Sequence, residues 1–201
     1  MKITVIGATG MIGSRVVAEA ARRGHEVTAA SRSGASTEGA SGTKSMELGD
    51  TAAVAAAMSA ADATVISVPP DRGGGSHEPT LKAHRDLIAA HPPGRLLVVG
   101  GAGSLEIDGV RLKDTPGFPP AYYNEADTFS TILDLYRDSR GLDWTMLSPA
   151  PVIAPGERTG TYRVGTDNPI GDTVSAEDFA VAIVDELEHP KHAGARFTVA
   201  N

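Results

Sequence analysis

Met1-Lys-Ile-Thr-Val-Ile-Gly7-Ala-Thr-Gly10-Met-Ile-Gly13-Ser-Arg-Val-Val-Ala18 begins the chain, and this stretch decides the fold. A short apolar strand, Ile3 to Ile6, leads into three glycines, and a helical pattern follows at once. A strand, a glycine turn and a helix in this order aim backbone N–H groups and a helix N-terminus at a phosphate. We expect Gly7 to allow a tight turn, Gly10 to leave room for a pyrophosphate, and Gly13 to let the helix pack closely on the strand.

The spacing of these glycines is G-x-x-G-x-x-G rather than G-x-G-x-x-G. A glycine-rich turn without a ligand is the alternative interpretation. The position of the motif, at the first strand-to-helix turn of an alternating chain, favours dinucleotide binding instead. The candidate cofactor contacts of this loop are Gly7, Thr9, Gly10, Met11, Ile12 and Gly13.

Composition and charge exclude several classes of function. The chain has 201 residues, a net charge of -7 and no cysteine. An acidic surface disfavours a general role in binding nucleic acids or anionic membranes, and the absence of cysteine excludes disulfides and Cys-based metal sites. No apolar run is long enough to span a membrane, and Met1-Lys2 leads into a strand rather than a signal peptide. We therefore expect a cytoplasmic protein.

The order of predicted elements indicates an α/β fold with a doubly wound, mostly parallel sheet. Strands are predicted at Ile3–Ile6, Glu26–Ser31, Lys44–Leu48, Ala63–Val68, Arg95–Val99, Asp143–Leu147 and Arg196–Val199. Further helices are predicted from Asp50 to about Ala60, from Glu78 to His91, from Tyr122 to about Arg140 and from Ser175 to Glu188. We expect a single NAD(P)-binding domain, 1–201, with substrate-side segments near 100–122 and 149–175.

Arg32 follows the second predicted strand, 19 positions after Gly13. Dinucleotide-binding folds place an acidic residue near this point to bind the adenosine ribose, and a carboxylate there would repel a 2′-phosphate. A guanidinium can bind that phosphate with two hydrogen bonds. Arg32 therefore favours NADP(H) over NAD(H), the alternative being a solvated surface arginine. Asp50 is first a helix N-cap, and a contact with the adenine amino group is compatible with that role.

Loops after the later strands complete the candidate site, because ligands bind at the carboxyl edge of open α/β sheets. The candidate contacts are Val68, Pro69, Gly100, Gly101 and Pro149. Gly100 and Gly101 are expected to approach the nicotinamide side of the cofactor, and a glycine turn needed only for packing is the alternative. The glycine-rich loop from 69 to 77 suggests a flexible flap.

The histidines show no metal-ligand spacing with carboxylates, so no metal site is predicted. His84 and His91 are interpreted as ordinary helix residues. His77 is a better candidate for contacting a ligand because its loop faces the site, but a surface histidine remains the first interpretation.

Four motifs together resemble the atypical short-chain dehydrogenases/reductases, and in particular the NmrA-like and flavin-reductase-like NAD(P)H-binding proteins. They are Gly7-Ala-Thr-Gly-Met-Ile-Gly13, Val98-Val-Gly-Gly-Ala-Gly-Ser-Leu105, Trp144-Thr-Met-Leu-Ser-Pro149 and Arg158-Thr-Gly-Thr-Tyr-Arg-Val-Gly165. The resemblance implies a seven-stranded Rossmann-type sheet, NADP(H) binding and hydride transfer to a poorly defined acceptor.

The chain departs from the wider superfamily at the catalytic Tyr-x-x-x-Lys, where the lysine lowers the pKa of the tyrosine that moves the proton. Ala126 stands four residues after Tyr122, and Asp127 stands four residues after Tyr123. Catalytic residues are therefore left unassigned, and the two tyrosines are expected to form a wall of the pocket rather than to donate a proton.

A site that holds NADPH without a proton relay suits an acceptor that takes hydride directly, such as a flavin or a quinone. An NADPH-dependent oxidoreductase acting on a small-molecule acceptor is the leading hypothesis. A non-catalytic NADP(H)-binding regulator that reports redox state to a partner protein is the alternative. An epimerase or dehydratase is disfavoured, because those enzymes use the Tyr/Lys pair and a larger substrate domain.

Overall fold

The computed structural model describes residues 1–201, and eight of its strands form one sheet in the order β10-β12-β8-β5-β4-β1-β2-β3. Neighbouring strands are parallel except at the edge, where β10 is antiparallel to β12. The strands are β1 (Lys2–Ile6), β2 (Glu26–Ser31), β3 (Gly42–Ser45), β4 (Ala63–Ile66), β5 (Arg95–Val99), β6 (Glu106–Ile107), β7 (Val110–Arg111), β8 (Asp143–Pro149), β9 (Val152–Ala154), β10 (Arg163–Gly165), β11 (Thr173–Ser175) and β12 (Ala195–Ala200).

Five helices cover both faces of this sheet. They are α1 (Met11–Arg22), α2 (Thr51–Ala60), α3 (Glu78–Ala90), α4 (Pro120–Asp138) and α5 (Ala176–Glu188). Helices α1 and α5 enclose one apolar core, and α2, α3 and α4 enclose a second core on the opposite face. Burial on both faces explains why the central strands are almost continuously apolar. The predicted doubly wound, mostly parallel α/β fold is confirmed.

The third strand lies earlier in the chain than predicted. Strand β3 pairs with β2 through Gly42–Ser45, and all four of its residues are exposed. The apolar residues that suggested a strand, Met46 and Leu48, instead turn into the core beneath α2. The apolar residues correctly indicated which side chains are buried, but the residues that pair with β2 are the polar ones just before them, on an edge strand.

Two smaller differences have local causes. Strand β4 ends at Ile66 instead of Val68, ahead of Pro69 and Pro70, which cannot donate to a ladder. Helix α4 begins at Pro120 instead of Tyr122, since proline suits the first helical position, where the N–H has no acceptor.

The seven strands implied by the family resemblance are joined by an eighth, β10, which the sequence predicted only as an extended segment. It pairs with the final strand and forms the outer edge of the sheet. No helix combines the length and apolar character that crossing a membrane requires.

Candidate functional site

The strand order reverses between β1 and β4, so the loops after these two strands border a crevice at the carboxyl edge of the sheet. Gly7 leaves β1 with φ +86°, a conformation that favours glycine. A Cβ atom on Gly7 would lie 2.3 Å from the Ser67 carbonyl oxygen, and one on Gly13 would lie 2.1 Å from the Gly7 carbonyl oxygen. The expected tight turn and close packing at these glycines are both present.

The N-terminus of α1 carries backbone donors that the chain itself does not use. The first helical hydrogen bond is Ser14 N–H to the Gly10 carbonyl at 3.0 Å, which leaves the amides of Met11, Ile12 and Gly13 without acceptors in the chain. Gly10 provides no side-chain cap, and the first turn contains no acidic residue. The helix dipole and these amides together favour an anion at this position.

Gly10 has the open surroundings that its predicted role requires. Its ideal Cβ atom would contact only the Gly7 carbonyl oxygen, at 3.3 Å, and the residue is exposed together with Thr9 and Met11. A ligand can therefore approach the backbone here. The loop residues fit a pyrophosphate, and their contact with a cofactor stays a prediction.

Arg32 lies just beyond the end of β2, next to the strand that leads into the glycine loop. Its side chain is exposed and takes part in none of the ion pairs of the protein. Its carbonyl oxygen accepts a hydrogen bond from the Ser45 hydroxyl at 2.9 Å, which holds the turn against β3. The guanidinium is therefore available to an anionic ligand at this edge.

Asp50 is the N-cap of α2, as predicted. Its carboxylate accepts the Ala53 N–H at 3.0 Å, and the side chain is exposed. Since a carboxylate has a second oxygen, the capping role leaves an acceptor for a further donor. The adenine contact stays a prediction.

The glycines after β5 have packing reasons of their own. A Cβ atom on Gly100 would lie 2.8 Å from Ser148 Oγ, and one on Gly101 would lie 2.8 Å from the Phe129 ring. Packing against β8 and α4 is thus sufficient to require these glycines, and the nicotinamide contact stays a prediction. The buried Ser148 hydroxyl has no hydrogen-bond partner in the chain, and sequence reasoning had assigned it no role.

Two remaining candidate segments lie at the same edge. Val68 is half-buried and Pro69 is exposed after β4, whereas Pro149 is the buried last residue of β8. Beyond it, Glu177 accepts the Gly156 N–H at 2.7 Å and pairs with Arg15 of α1 at 2.6 Å. These contacts hold the segment after β8 against the helix that follows the glycine loop.

Tyr122 and Tyr123 lie in the first turns of α4 and are 65% and 42% exposed. The Lys113 ammonium lies 5.2 Å from the centroid of the Tyr123 ring, and it pairs with Asp114 at 2.7 Å and with Asp127 at 3.2 Å. Sequence reasoning missed this cluster because it depends on how the loop before α4 folds back. The Lys113 ammonium is paired with two carboxylates, so the cluster does not reproduce the Tyr-x-x-x-Lys arrangement.

His84 and His77 differ in their surroundings. His84 is buried beneath α4, where its Nδ1 atom lies 3.0 Å from the Tyr136 hydroxyl and burial lowers its pKa to about 4. It is a helix residue, as expected, and its side chain lies in the core. His77 is half-buried at the start of α3, with both ring nitrogens hydrogen-bonded to the protein. No group of histidine and carboxylate side chains could hold a metal ion.

A family model described as NAD(P)H-binding matches residues 7–190. The chain belongs to this NAD(P)H-binding family. The match covers the glycine loop and every strand of the sheet except the first and the last. It confirms the predicted relationship with the atypical short-chain dehydrogenases/reductases.

Relatives of this NAD(P)H-binding protein share its full length. It is 40% identical to the uncharacterized protein YwnB of Bacillus subtilis, covering 100% of this chain and 99% of that protein. It is 34% identical to a solved structure from Streptococcus pneumoniae named a "putative NADH-flavin reductase", with a TM-score of 0.87 over 100% of this chain and 99% of that one. A "putative exported protein" from Burkholderia pseudomallei is 40% identical, with a TM-score of 0.88 and full coverage of both chains.

Proposed function

We propose that this protein is an NADPH-dependent oxidoreductase that transfers hydride to a flavin, a quinone or a similar small acceptor. The observation that carries the proposal is the uncapped N-terminus of α1, whose free amides lie at the carboxyl edge of the sheet, where open α/β sheets bind ligands. A reduced nicotinamide supplies the hydride when it is bound. The residues of the chain bind the cofactor, orient it and shape the space above it.

Arg32 supports NADPH as the electron donor. The guanidinium follows β2, where a carboxylate would select NADH, and no acidic residue of the protein neutralises it. A 2′-phosphate would give it the partner that it lacks. Gly7, Thr9, Gly10, Met11, Ile12 and Gly13 would hold the pyrophosphate, Asp50 the adenine, and Val68, Pro69, Gly100, Gly101 and Pro149 the nicotinamide half.

The nature of the acceptor follows from the missing proton relay. Lys113 is held by two carboxylates and does not serve as the lysine of a Tyr-x-x-x-Lys pair. An isoalloxazine or quinone ring accepts hydride without a protein acid, because solvent can supply the proton afterwards. The name of the 34% identical Streptococcus protein, "putative NADH-flavin reductase", supports the same class of acceptor and gives NADH as that protein's electron donor.

Stopped-flow absorbance at the NADPH band tests the proposal, with free flavins and quinones as acceptors and air excluded. We expect NADPH oxidation that depends on protein and acceptor together, and Gly10→Ala should slow it by crowding the pyrophosphate. A protein that binds NADPH but oxidises it with none of these acceptors would contradict the proposal.

The same missing relay supports a second candidate, a non-catalytic regulator that reports the NADP(H) redox state to a partner protein. Such a protein should bind NADP⁺ and NADPH with different affinities, show no turnover and retain a partner in pull-down only in one redox state. Calorimetry with both cofactor forms separates the candidates, since an enzyme needs no large difference between them. For either role we propose the cytoplasm as the location, and cell fractionation tests this proposal.

A further inference from the structure

The loop of residues 71–77 lies a few residues after the end of β4, and several hydrogen bonds hold it in one conformation. The Asp71 carboxylate accepts the Gly73 N–H at 3.1 Å and the Gly75 N–H at 2.5 Å. Arg72 donates two hydrogen bonds to the Glu125 carboxylate on α4, at 2.9 and 2.6 Å. The predicted flap is thus tied both to itself and to α4.

His77 connects this loop to α4 through both nitrogens of its ring. Its Nε2 atom lies 2.7 Å from the Asp71 carbonyl oxygen, and its Nδ1 atom lies 2.7 Å from the Thr128 Oγ1 atom. The Thr128 hydroxyl also donates to the Asn124 carbonyl oxygen, at 2.8 Å. Three contacts therefore meet at one imidazole and one hydroxyl.

A count of protons favours the imidazolium at these contacts. Each of the three contacts needs one proton, because both carbonyl oxygens only accept. A neutral imidazole and a hydroxyl supply two protons between them, so one contact must join two acceptors. The imidazolium donates from both ring nitrogens and leaves the hydroxyl proton for Asn124, which satisfies all three contacts.

We propose that His77 is a proton-dependent latch, which holds the 71–77 loop against α4 more firmly when the imidazole carries both protons. Histidine is in general the side chain that changes charge between about pH 5 and 8, so this is the range over which the latch is to be tested. Because the loop follows Val68 and Pro69, the latch would slow cofactor release at low pH. This consequence for the cofactor rests on the proposed function, whereas the latch itself does not.

The charged groups around His77 are already engaged. Within its own loop the Asp71 carboxylate holds two glycine amides and Arg72 pairs with Glu125. On α3 Glu78 pairs with Arg85, and on α4 Asp127 pairs with Lys113. No carboxylate contacts the imidazole. Its hydrogen bonds to Thr128 and to the Asp71 carbonyl are therefore the contacts that change when the imidazole gains or loses a proton.

Amide hydrogen exchange of Gly73 and Gly75, followed by NMR without cofactor, tests the latch. We expect protection factors roughly 5-fold higher at pH 5.5 than at pH 7.5, the worth of about one net hydrogen bond. Thr128→Val should abolish this difference, because one remaining contact is satisfied by a neutral imidazole. Thr128→Ser keeps the hydroxyl and should preserve the difference, as should His91→Asn at the C-terminal end of α3.

Equal protection at the two pH values, or an unchanged difference in Thr128→Val, would overturn the latch. A second measurement separates the two proposals, namely the NADP⁺ dissociation rate of Thr128→Val relative to Thr128→Ser at each pH. We expect this ratio to rise as the pH falls from 7.5 to 5.5. If the protein does not bind NADP⁺ but amide protection still depends on pH, the proposed function alone is contradicted. If NADP⁺ binds but the ratio of the two dissociation rates is the same at both pH values, the latch does not control cofactor release.

Discussion

The Arg32 side chain extends from the turn after β2, exposed and outside every ion pair of the protein. A charged group in such a position contributes little to the stability of the fold. Replacing it should therefore change ligand affinity rather than the free energy of unfolding. We therefore propose that cofactor choice depends on this one side chain, whose position relative to the glycine loop is set by one strand and one helix.

Replacing Arg32 with aspartate should weaken NADPH binding far more than NADH binding. Losing the charged hydrogen bonds to a 2′-phosphate should cost on the order of 1.5–3 kcal/mol. Isothermal titration calorimetry with both cofactors measures the difference. Arg140→Asp makes the same charge change at an exposed, unpaired arginine after α4 and should leave both affinities unchanged. Equal losses for NADPH and NADH would remove Arg32 from the 2′-phosphate site.

Alanine substitutions at Gly10 and at Gly13 should have different effects, the first on cofactor binding and the second on the stability of the fold. Gly13→Ala places a Cβ atom 2.1 Å from a backbone carbonyl oxygen and should destabilise the fold by about 2–4 kcal/mol. Gly10→Ala meets one atom at 3.3 Å and should change stability by less than about 1 kcal/mol while weakening NADPH binding. Urea denaturation and calorimetry measure the two effects. Wild-type affinity in Gly10→Ala would argue against a pyrophosphate at this loop.

At the scale of elements, α3 packs on α4 through a buried polar contact. His84 and Tyr136 meet edge-on with ring centroids 5.7 Å apart, and Tyr136 also lies against Trp144. Burial lowers the pKa of His84 to about 4 and raises the pKa of Tyr136, so both groups stay neutral in the folded protein. The helical spacing of the sequence indicated His84 as a helix residue, but only packing shows its partner.

This contact should make stability depend on pH. Below the ordinary histidine pKa of 6.5 the unfolded chain takes up a proton that folded His84 refuses, so stability is lost as pH falls toward about 4. Between pH 7 and pH 5 the wild type should lose about 1–2 kcal/mol more than His84→Gln. Urea denaturation at several pH values measures the slopes, and His189→Gln at an exposed histidine should behave as wild type. Identical slopes in His84→Gln would contradict the assignment.

Elements were predicted well where a local pattern coincides with burial, and poorly where it does not. The strand at 95–99 and the helix from Ser175 to Glu188 have the predicted bounds because apolar runs and an N-cap mark them directly. Strand β3 was misplaced because its four residues are exposed and polar, and only pairing with β2 makes them a strand.

At the scale of the whole molecule, a buried carboxylate ties three distant parts of the chain together. Glu19 of α1 pairs with Arg22, Arg23 and Arg158, and Arg23 continues to Asp185 and Glu188 on α5. Burial alone would raise the pKa of Glu19, but hydrogen bonds from Arg158, Arg22 and Arg23 outweigh it and hold the pKa well below its usual range. The cluster fixes the segment before β10 against α1, which follows the glycine loop, and joins α1 to α5.

Glu19→Gln should destabilise the protein by about 2–4 kcal/mol at pH 7, because it removes the carboxylate that three guanidinium groups share and leaves Arg22 and Arg158 without one. A carboxyl whose folded pKa is lowered stabilises the fold above its usual value near 4.5, and this contribution is lost as pH falls. The variant should therefore lose less stability than the wild type between pH 6 and pH 3. Guanidinium denaturation measures this, with Glu26→Gln, an exposed and unpaired carboxylate, as the control.

The sequence alone determined the α/β class, the glycine loop, the cap at Asp50 and the absence of a lysine four residues after either tyrosine. These features depend on residues that are neighbours in the chain or repeat along one strand or helix. The tertiary structure alone decided the eighth strand, the packing of Gly100 and Gly101, the position of Lys113 over Tyr123 and the two bonds of His77. Each of those depends on groups from separate elements, whose distances no local pattern records.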